Sequence, residues 1–136
     1  MELTLQCTFL EVDDHEAAIA FYCDTLGLEV RQDVKMDDAR WLTVGPKDQP
    51  EIGIVMQTAG AGRSPDDAQS IRTMLAKGSL GGLVFQTDDV DALFERVAAS
   101  GAEVLQEPMD QFYGLRDCAF RDPSGNMVRI NQKPKA

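Results

Sequence analysis

Few residues in this chain could carry out covalent chemistry. The candidates are one histidine, His15, and three cysteines, Cys7, Cys23 and Cys118, which are too far apart to form a CxxC pair. A cysteine needs a nearby base or cation to become a nucleophilic thiolate, and His15 falls in the predicted first turn of a helix, where we expect it to face solvent. We therefore expect reduced, mostly buried thiols and no catalytic residue.

The sequence contains more residues suited to ligand binding than to catalysis. Arg129 could bind a ligand carboxylate or phosphate through two parallel hydrogen bonds. The alternative is a salt bridge to Glu11, Asp117 or another nearby acid, because the chain has 23 acidic and 13 basic residues. The sequence leaves both possibilities open.

Aromatic side chains could supply the walls of a binding site. Trp41 alternates with Leu42 and Val44, so if those two pack under a helix, Trp41 faces the opposite side of its sheet. An aromatic ring there would stack on a planar or cationic ligand. Phe112 and Tyr113, in a later hairpin, could form the opposing wall. Burial of Trp41 in the core or in a dimer interface is the alternative.

Two similar segments position these side chains. The acidic pair Asp13-Asp14 precedes an apolar run with helical period that ends at Gly27, and the pair Asp88-Asp89 precedes another that ends at Gly101. In each segment we expect the first acid to cap the helix and the glycine to end it in a left-handed conformation. The repeat predicts one supersecondary unit used twice.

Each unit is predicted to have the order βαβββ, which places the chain in the α+β class. We expect a single domain with a first unit over residues 1–58, a connection over 59–79 and a second unit over 80–133. A helix over 65–76, begun by Ser64, is predicted within the connection. Strand alternation directs the following residues to the face opposite the helices: Cys7, Phe9, Glu11, Gly53, Val55, Gln57, Val84, Gln86, Met127, Arg129 and Asn131.

The acidic composition limits the possible partners. A formal net charge of −10 disfavours nucleic acid and anionic membrane surfaces and is compatible with a cationic ligand. No apolar run approaches the roughly 20 residues of a membrane span, and the N-terminus lacks the pattern of a signal peptide. We expect a cytoplasmic protein.

The repeat and one turn together resemble a known superfamily. Two βαβββ units, an acidic pair before each helix and the sequence Asp-Pro-Ser-Gly-Asn at 122–126 resemble the vicinal oxygen chelate superfamily, which includes glyoxalase I, bleomycin resistance proteins and extradiol dioxygenases. The aromatic-Gly-x-Arg sequence from Tyr113 to Arg116 is most similar to the bleomycin-resistance and antibiotic-binding branch. The resemblance implies a cupped mixed sheet, usually completed in a homodimer, with a ligand pocket in each cup.

Enzymes of this superfamily hold a divalent metal with His, Gln or Glu from the first and last strands of each unit. The matching positions here are Cys7, Gly82, Arg129 and either Gly53 or Val55. None of them is a carboxylate, imidazole or amide, and a guanidinium would repel a cation. A bulge that turns Gln6 into the cup is the alternative. We expect neither a metal nor another cofactor.

These features predict a metal-free protein that sequesters a small aromatic or cationic ligand, such as an antibiotic. The ligand-binding residues predicted for it are Phe9, Trp41, Val55, Phe112, Tyr113, Arg116 and Arg129. The alternatives are a metal-dependent lyase or dioxygenase and a ligand-sensing accessory module.

Overall fold

The computed structural model describes residues 2–134, which form two four-stranded mixed sheets. In the first sheet the strand order is β1-β4-β3-β2, with β1 parallel to β4 and the other pairs antiparallel. Its strands are β1 (Cys7–Glu11), β2 (Glu29–Met36), β3 (Ala39–Gly45) and β4 (Gly53–Gln57).

The second sheet repeats this arrangement in the order β5-β8-β7-β6, again with one parallel pair. Its strands are β5 (Leu83–Thr87), β6 (Glu103–Asp110), β7 (Arg116–Arg121) and β8 (Met127–Gln132). The predicted α+β fold with two tandem βαβββ units is confirmed.

Three helices connect these strands. Helix α1 (His15–Ile19) continues as a wider π-type segment over Ala20–Thr25, which the sequence pattern did not predict. Helix α2 (Pro65–Ala76) starts from Ser64 as expected, and α3 is Val90–Ala99. Within residues 2–134 no helix is long and apolar enough to cross a membrane.

The N-caps of α1 and α3 each lie one residue later than predicted. The Asp14 carboxylate accepts hydrogen bonds from the backbone of α1, and Asp89 does the same for α3. Asp14 and Asp89 have the extended backbone that a capping residue requires. The backbone N–H of Asp13 instead donates to the Ser124 hydroxyl, at 2.8 Å. The predicted glycine ends are present, with φ of 86° at Gly27 and 90° at Gly101.

One hydrophobic core joins the two units. It is formed by the helices and by every second residue of the strands, for example Leu10, Leu42 and Met56 in the first sheet and Phe120 and Ile130 in the second. Because these residues share one core, the other faces of the two sheets point away from it. These outward faces are therefore available to bind a ligand.

The turn at residues 122–126 connects the two units. Asp122 Oδ1 accepts three backbone N–H groups of that turn, and Oδ2 accepts the Tyr22 hydroxyl at 2.6 Å. Asn126 Nδ2 donates to Asp122 and to the backbone carbonyl of Glu11. Burial, together with the neighbouring Asp122, raises the pKa of Tyr22, so its hydroxyl remains a donor at neutral pH.

Candidate functional site

The first outward face comprises the residues of β1, β3 and β4 that point away from the helices: Cys7, Phe9, Glu11, Trp41, Thr43, Gly53, Val55 and Gln57. Leu42 and Val44 are buried in the core, so Trp41 lies on the outward side, as their alternation predicts. The rings of Phe9 and Trp41 meet edge to face, with their centroids 6.1 Å apart. Their exposed fractions are 53% and 42%, which is unusual for large apolar groups within strands.

A shallow concavity of about 190 Å³ lies beside Trp41. Its lining includes Cys7, Val55, Arg31 and the loop before β4. Arg31 is held there by the backbone carbonyls of Pro46, Gln49 and Ile52. NH1 and NH2 of Arg31 are therefore occupied by protein acceptors, whereas its Nε is buried and has no hydrogen-bond partner within residues 2–134. The lining of the concavity is of mixed polarity, because polar side chains such as Gln32 and Glu51 lie there together with Trp41 and Val55.

A set of hydrogen-bonded polar side chains lies at one end of the first outward face. Glu11 Oε1 accepts from Gln57 Nε2 at 2.7 Å and forms an ion pair with Arg63, which comes from the connection before α2. Glu11 Oε2 is buried and has no hydrogen-bond partner within residues 2–134. Arg63 therefore ties the connection to the end of this face.

The second outward face comprises Val84, Gln86, Asp117, Ala119, Arg121, Met127, Arg129 and Asn131. At its centre lies a polar cluster of Gln106, Gln111, Asp117 and Arg129. Arg129 NH1 donates to Asp117 Oδ2 at 2.7 Å and to Gln106 Oε1 at 3.3 Å. The salt bridge to Asp117, one of the alternatives that the sequence left open, is thus formed.

Asp117 is fully buried within this polar cluster. Its carboxylate also accepts from Gln106 Nε2 at 2.7 Å and Gln111 Nε2 at 2.9 Å. Burial acts to raise the pKa of Asp117, but the hydrogen bonds from Gln111, Gln106 and Arg129 outweigh it and hold the pKa below its ordinary value. The Asp117–Arg129 pair is therefore ionised at neutral pH and has no net charge.

The remaining predicted site residues lie elsewhere in the second unit. Arg116 is on the helix-bearing side of β7, where its guanidinium binds Asp91 and Asp110. Phe112 and Tyr113 form an edge-to-face pair in the β6–β7 hairpin, and Phe112 is 98% exposed. In the single chain neither of these rings lines the concavity beside Trp41.

The positions that match the metal ligands of the superfamily do not fit a divalent cation. Gly53 packs against Thr43, whose Cγ2 would lie 2.7 Å from an added Cβ. A Cβ at Gly82 would overlap the carbonyl oxygen of Met127, so no larger side chain fits there. With a thiol and a guanidinium at the other two positions, the oxygen and nitrogen donors that a metal needs are missing.

The alternative ligand, Gln6, lies just before β1 and lines the concavity beside Trp41. Strand β1 itself pairs with β4 in an unbroken register from Cys7 to Glu11, and a single amide supplies too few donors for a divalent cation. Within residues 2–134 no group of three or more His, Cys, Asp or Glu side chains comes together as a metal site.

Two of the three thiols, Cys23 and Cys118, are not activated. Burial, followed by the effect of Asp117, raises the pKa of Cys118 to about 11. Burial, followed by the charge of Asp24, also raises the pKa of Cys23. Both thiols are protonated at neutral pH and cannot act as nucleophiles. His15 lies in the first turn of α1, with Nε2 3.0 Å from the carbonyl oxygen of Met56, and it contacts neither thiol.

A larger open groove, of about 830 Å³, lies between the two units. It runs from the end of the π-type segment and the β3–β4 loop to the free edge of β5. None of the predicted ligand-binding residues lines it. Val84, Gln86 and Asn131 of the second outward face line one side of it, but neither Trp41 nor the polar cluster does, so the face around Trp41 remains the better candidate.

Comparison with known proteins agrees with this architecture. The model of the glyoxalase/bleomycin resistance protein/dioxygenase superfamily matches residues 4–130. The crystal structure of UcmS2 is similar, with 34% identity, a TM-score of 0.88 and coverage of 98% of this chain and 100% of that one. TnmS3, described as an antibiotic binding protein from Streptomyces sp. CB03234, has 31% identity and a TM-score of 0.75, and each chain is covered to 98%.

A curated relative belongs to a different functional class. It is a probable lactoylglutathione lyase of Synechocystis sp., which is 24% identical over 128 residues, or 92% of each chain. The family match covers nearly the whole length of the chain and coincides with the two βαβββ units. On these grounds the chain belongs to the glyoxalase/bleomycin resistance protein/dioxygenase superfamily.

Proposed function

We propose that this protein is a metal-free, cytoplasmic binding protein that sequesters a small planar aromatic molecule. The observation that carries the proposal is the outward pair Phe9 and Trp41 above Val55, on a face without catalytic groups. Sequestration needs a shaped apolar surface and no reactive side chain. The description of TnmS3 as antibiotic-binding makes antibiotics the first ligands to test.

A single wall supports only weak binding. An aromatic ligand that buries about 150–250 Å² against Phe9 and Trp41 gains about 4–6 kcal/mol from apolar burial. The entropy cost of association consumes much of this gain. Useful affinity therefore requires a second wall on the other side of the ligand.

A second copy of the chain would supply that wall, and we propose a homodimer. Phe112 and Tyr113 are exposed at a hairpin tip, and the first outward face carries exposed rings. Pairing the two would remove both apolar surfaces from water. Light scattering should give twice the mass of the chain at micromolar concentration. A monomer under these conditions would contradict the proposed second wall.

Trp41 provides the direct test of the site, since it is the sole tryptophan of the chain. Bleomycin-type glycopeptides and flat cationic antibiotics would be titrated while tryptophan emission is followed. For a compound that binds, Trp41→Ala, assayed by calorimetry, should weaken binding by roughly tenfold or more, about 1.4 kcal/mol. Trp41→Phe, which keeps a ring, is the matched control and should lose much less. Equal affinity in wild type and Trp41→Ala would exclude the site.

The similarity to a probable lactoylglutathione lyase supports a second candidate, a metal-dependent lyase. We consider it the weaker candidate, because the matching ligand positions are Cys7, Gly82, Arg129 and either Gly53 or Val55. Elemental analysis of protein purified without chelator distinguishes the two. The binding proposal expects no stoichiometric Zn, Ni, Fe or Mn. About one tightly held metal per chain would favour the lyase.

A further inference from the structure

The free edge of β5 lacks the features that keep strand edges from pairing. Within residues 2–134 the edge strands of the two sheets are β1, β2, β5 and β6. Strands β2 and β6 carry charged side chains and register shifts, and β1 ends at Glu11. Strand β5, with the sequence Leu-Val-Phe-Gln-Thr, has no charge, no proline and an unbroken register with β8. Charges, prolines and bulges usually prevent an additional strand from pairing with an edge, so β5 is open to one.

The backbone groups that such pairing needs point away from β8. The Thr87 carbonyl oxygen accepts the N–H of Lys133, on the β8 side of β5. Because backbone direction alternates along a strand, the N–H and C=O groups of Val84 and Gln86 point to the opposite, free edge. The groove of about 830 Å³ is lined by both of these residues and by Phe85 and Thr87. An added strand would therefore find both room and hydrogen-bond partners there.

Residues 2–6, which precede β1, have the pattern of a strand without a partner. Polar and apolar residues alternate in the sequence Glu-Leu-Thr-Leu-Gln, as in a half-buried strand. These residues form no helix or strand in the single chain, and Leu3 and Leu5 are 93% and 65% exposed. The two leucines lie on the same side of an extended segment. Exposed apolar groups that adjoin in this way mark a surface that contacts another molecule.

The groove beside β5 provides apolar groups against which these leucines can pack. Leu26, Phe85 and Leu93 belong to its lining and are each half-buried in the single chain. Covering them together with Leu3 and Leu5 would remove apolar surface of both partners from water.

The charges around the groove also favour this segment. Its charged lining residues are the basic Lys47, Arg96 and Lys133 and the acidic Asp48. Lys133 lies 3.8 Å from Asp88, whereas Lys47 and Arg96 form no ion pair within residues 2–134. Two copies that each carry a net charge of −10 repel one another. A contact that brings Glu2 to this basic groove lessens that repulsion.

We propose that residues 2–6 of one copy add as a strand to the free edge of β5 in a second copy, and that the exchange is reciprocal. This inference rests on the homodimer of the proposed function and gives it a contact separate from the hairpin of Phe112 and Tyr113. It does not depend on the aromatic site. Because each copy donates one segment and accepts another, the contact closes on a two-fold axis and does not extend into a fibre.

Two variants test the two sides of this contact. Leu3→Ser combined with Leu5→Ser removes the apolar side of the segment, and Gln86→Pro removes a backbone N–H at the free edge that β8 does not use. Each should weaken dimerisation by about tenfold for each of the two contacts, or about a hundredfold per dimer, in sedimentation velocity. Gln86→Ala retains the N–H, is the matched control and should dimerise as wild type does. Circular dichroism of each variant checks that the fold is retained.

A mixture of the two variants provides a test that misfolding cannot imitate. In a mixed dimer, the intact segment of the Gln86→Pro chain meets the intact β5 of the serine variant, so one of the two contacts is restored. The mixed dimer should therefore be about tenfold tighter than either variant dimer alone. A mixture no tighter than the separate variants would overturn the reciprocal exchange.

The outcomes distinguish this inference from the proposed function. Wild-type dimerisation in both variants overturns the inference and leaves the hairpin contact in place. A wild-type chain that is a monomer at micromolar concentration overturns the homodimer and the inference together. A chain that passes the mixing test, but whose Trp41 emission no titrated compound changes, supports the inference and removes the aromatic site alone.

Discussion

The two units share one order of strands and helices but carry different outward faces. The first presents the rings of Phe9 and Trp41, with a concavity of mixed polarity beside Trp41. The second presents an ion pair, Asp117 and Arg129, held by two glutamines. The helix-bearing sides remain alike because they share one core, where apolar packing is required. Only the faces outside that core were free to diverge.

The largest effect on stability is expected at the turn of residues 122–126, which connects the two units. Asp122→Ala removes the acceptor of three backbone N–H groups, of Tyr22 and of Asn126. It should lower the free energy of unfolding by about 4 kcal/mol, because buried donors lose their partner. Tyr22→Phe, which removes one of these bonds, should cost about 1 kcal/mol. Urea denaturation measures both, and equal losses would show that the network is not centred on Asp122.

Two glycines at positions that match metal ligands of the superfamily, Gly53 and Gly82, should respond differently to alanine. Gly82→Ala places a Cβ against the Met127 backbone carbonyl, and we expect a loss of about 2–3 kcal/mol in unfolding free energy. Gly53→Ala meets only the Thr43 side chain, which can rotate, and should cost less. Gly81→Ala, with no atom within 4 Å of the new Cβ, is the control and should stay within about 0.5 kcal/mol. A loss at Gly81 as large as that at Gly82 would remove the steric explanation.

Low pH should lower the stability of the protein by protonating Asp117 on the second outward face. The pKa of Asp117 is below its ordinary value in the folded protein. Its contribution is therefore complete above the unfolded pKa of about 4 and is lost as pH falls through the folded value. Urea denaturation from pH 5 to 3 should give a shallower loss of stability in Asp117→Asn than in wild type. Asp91→Asn, at the exposed pair with Arg116, is the comparison. Identical slopes in wild type and Asp117→Asn would contradict the ionised buried pair.

The smallest effect on folding is expected at the hairpin that would cover the first face. Phe112 is 98% exposed, so Phe112→Ala should change the free energy of unfolding by less than about 0.5 kcal/mol. If its ring forms the second wall, the same variant should weaken dimerisation and ligand binding by about tenfold, as measured by light scattering and calorimetry. Wild-type values for both would exclude Phe112 from the wall.

The fold was predictable because the alternation of apolar residues and the residues that form caps and turns indicate the same strands and helices. The burial of Leu42 and Val44 determines the outward direction of Trp41, and that relation is local. Ser64 followed by proline predicted α2 at its observed bounds. The caps were misplaced because both members of each acidic pair have a carboxylate of suitable reach. The long-range bond from Asp13 to Ser124, which no local pattern reveals, accompanies the use of Asp14.

The polar cluster was only partly predictable. Asp117 was among the partners considered for Arg129, since both lie in neighbouring strands. Gln106 reaches them because β6 shifts its register between Val104 and Gln106, which resets the alternation of side chains. Gln111 lies in the hairpin after β6 and reaches Asp117 across the turn. Bulges and turns of this kind depend on tertiary packing, so period-two counting could not find these two glutamines.

The turn at residues 122–126 also constrains the order in which parts of the protein can fold. Its bonds to Tyr22, Asp13 and the Glu11 carbonyl join residues separated by 100, 111 and 115 positions in the chain. During synthesis, α1 and β1 emerge long before these partners exist. Contacts of such long sequence separation close late and slow folding. Tyr22 and the end of β1 therefore keep their hydrogen bonds to water until residues 122–126 have been synthesised.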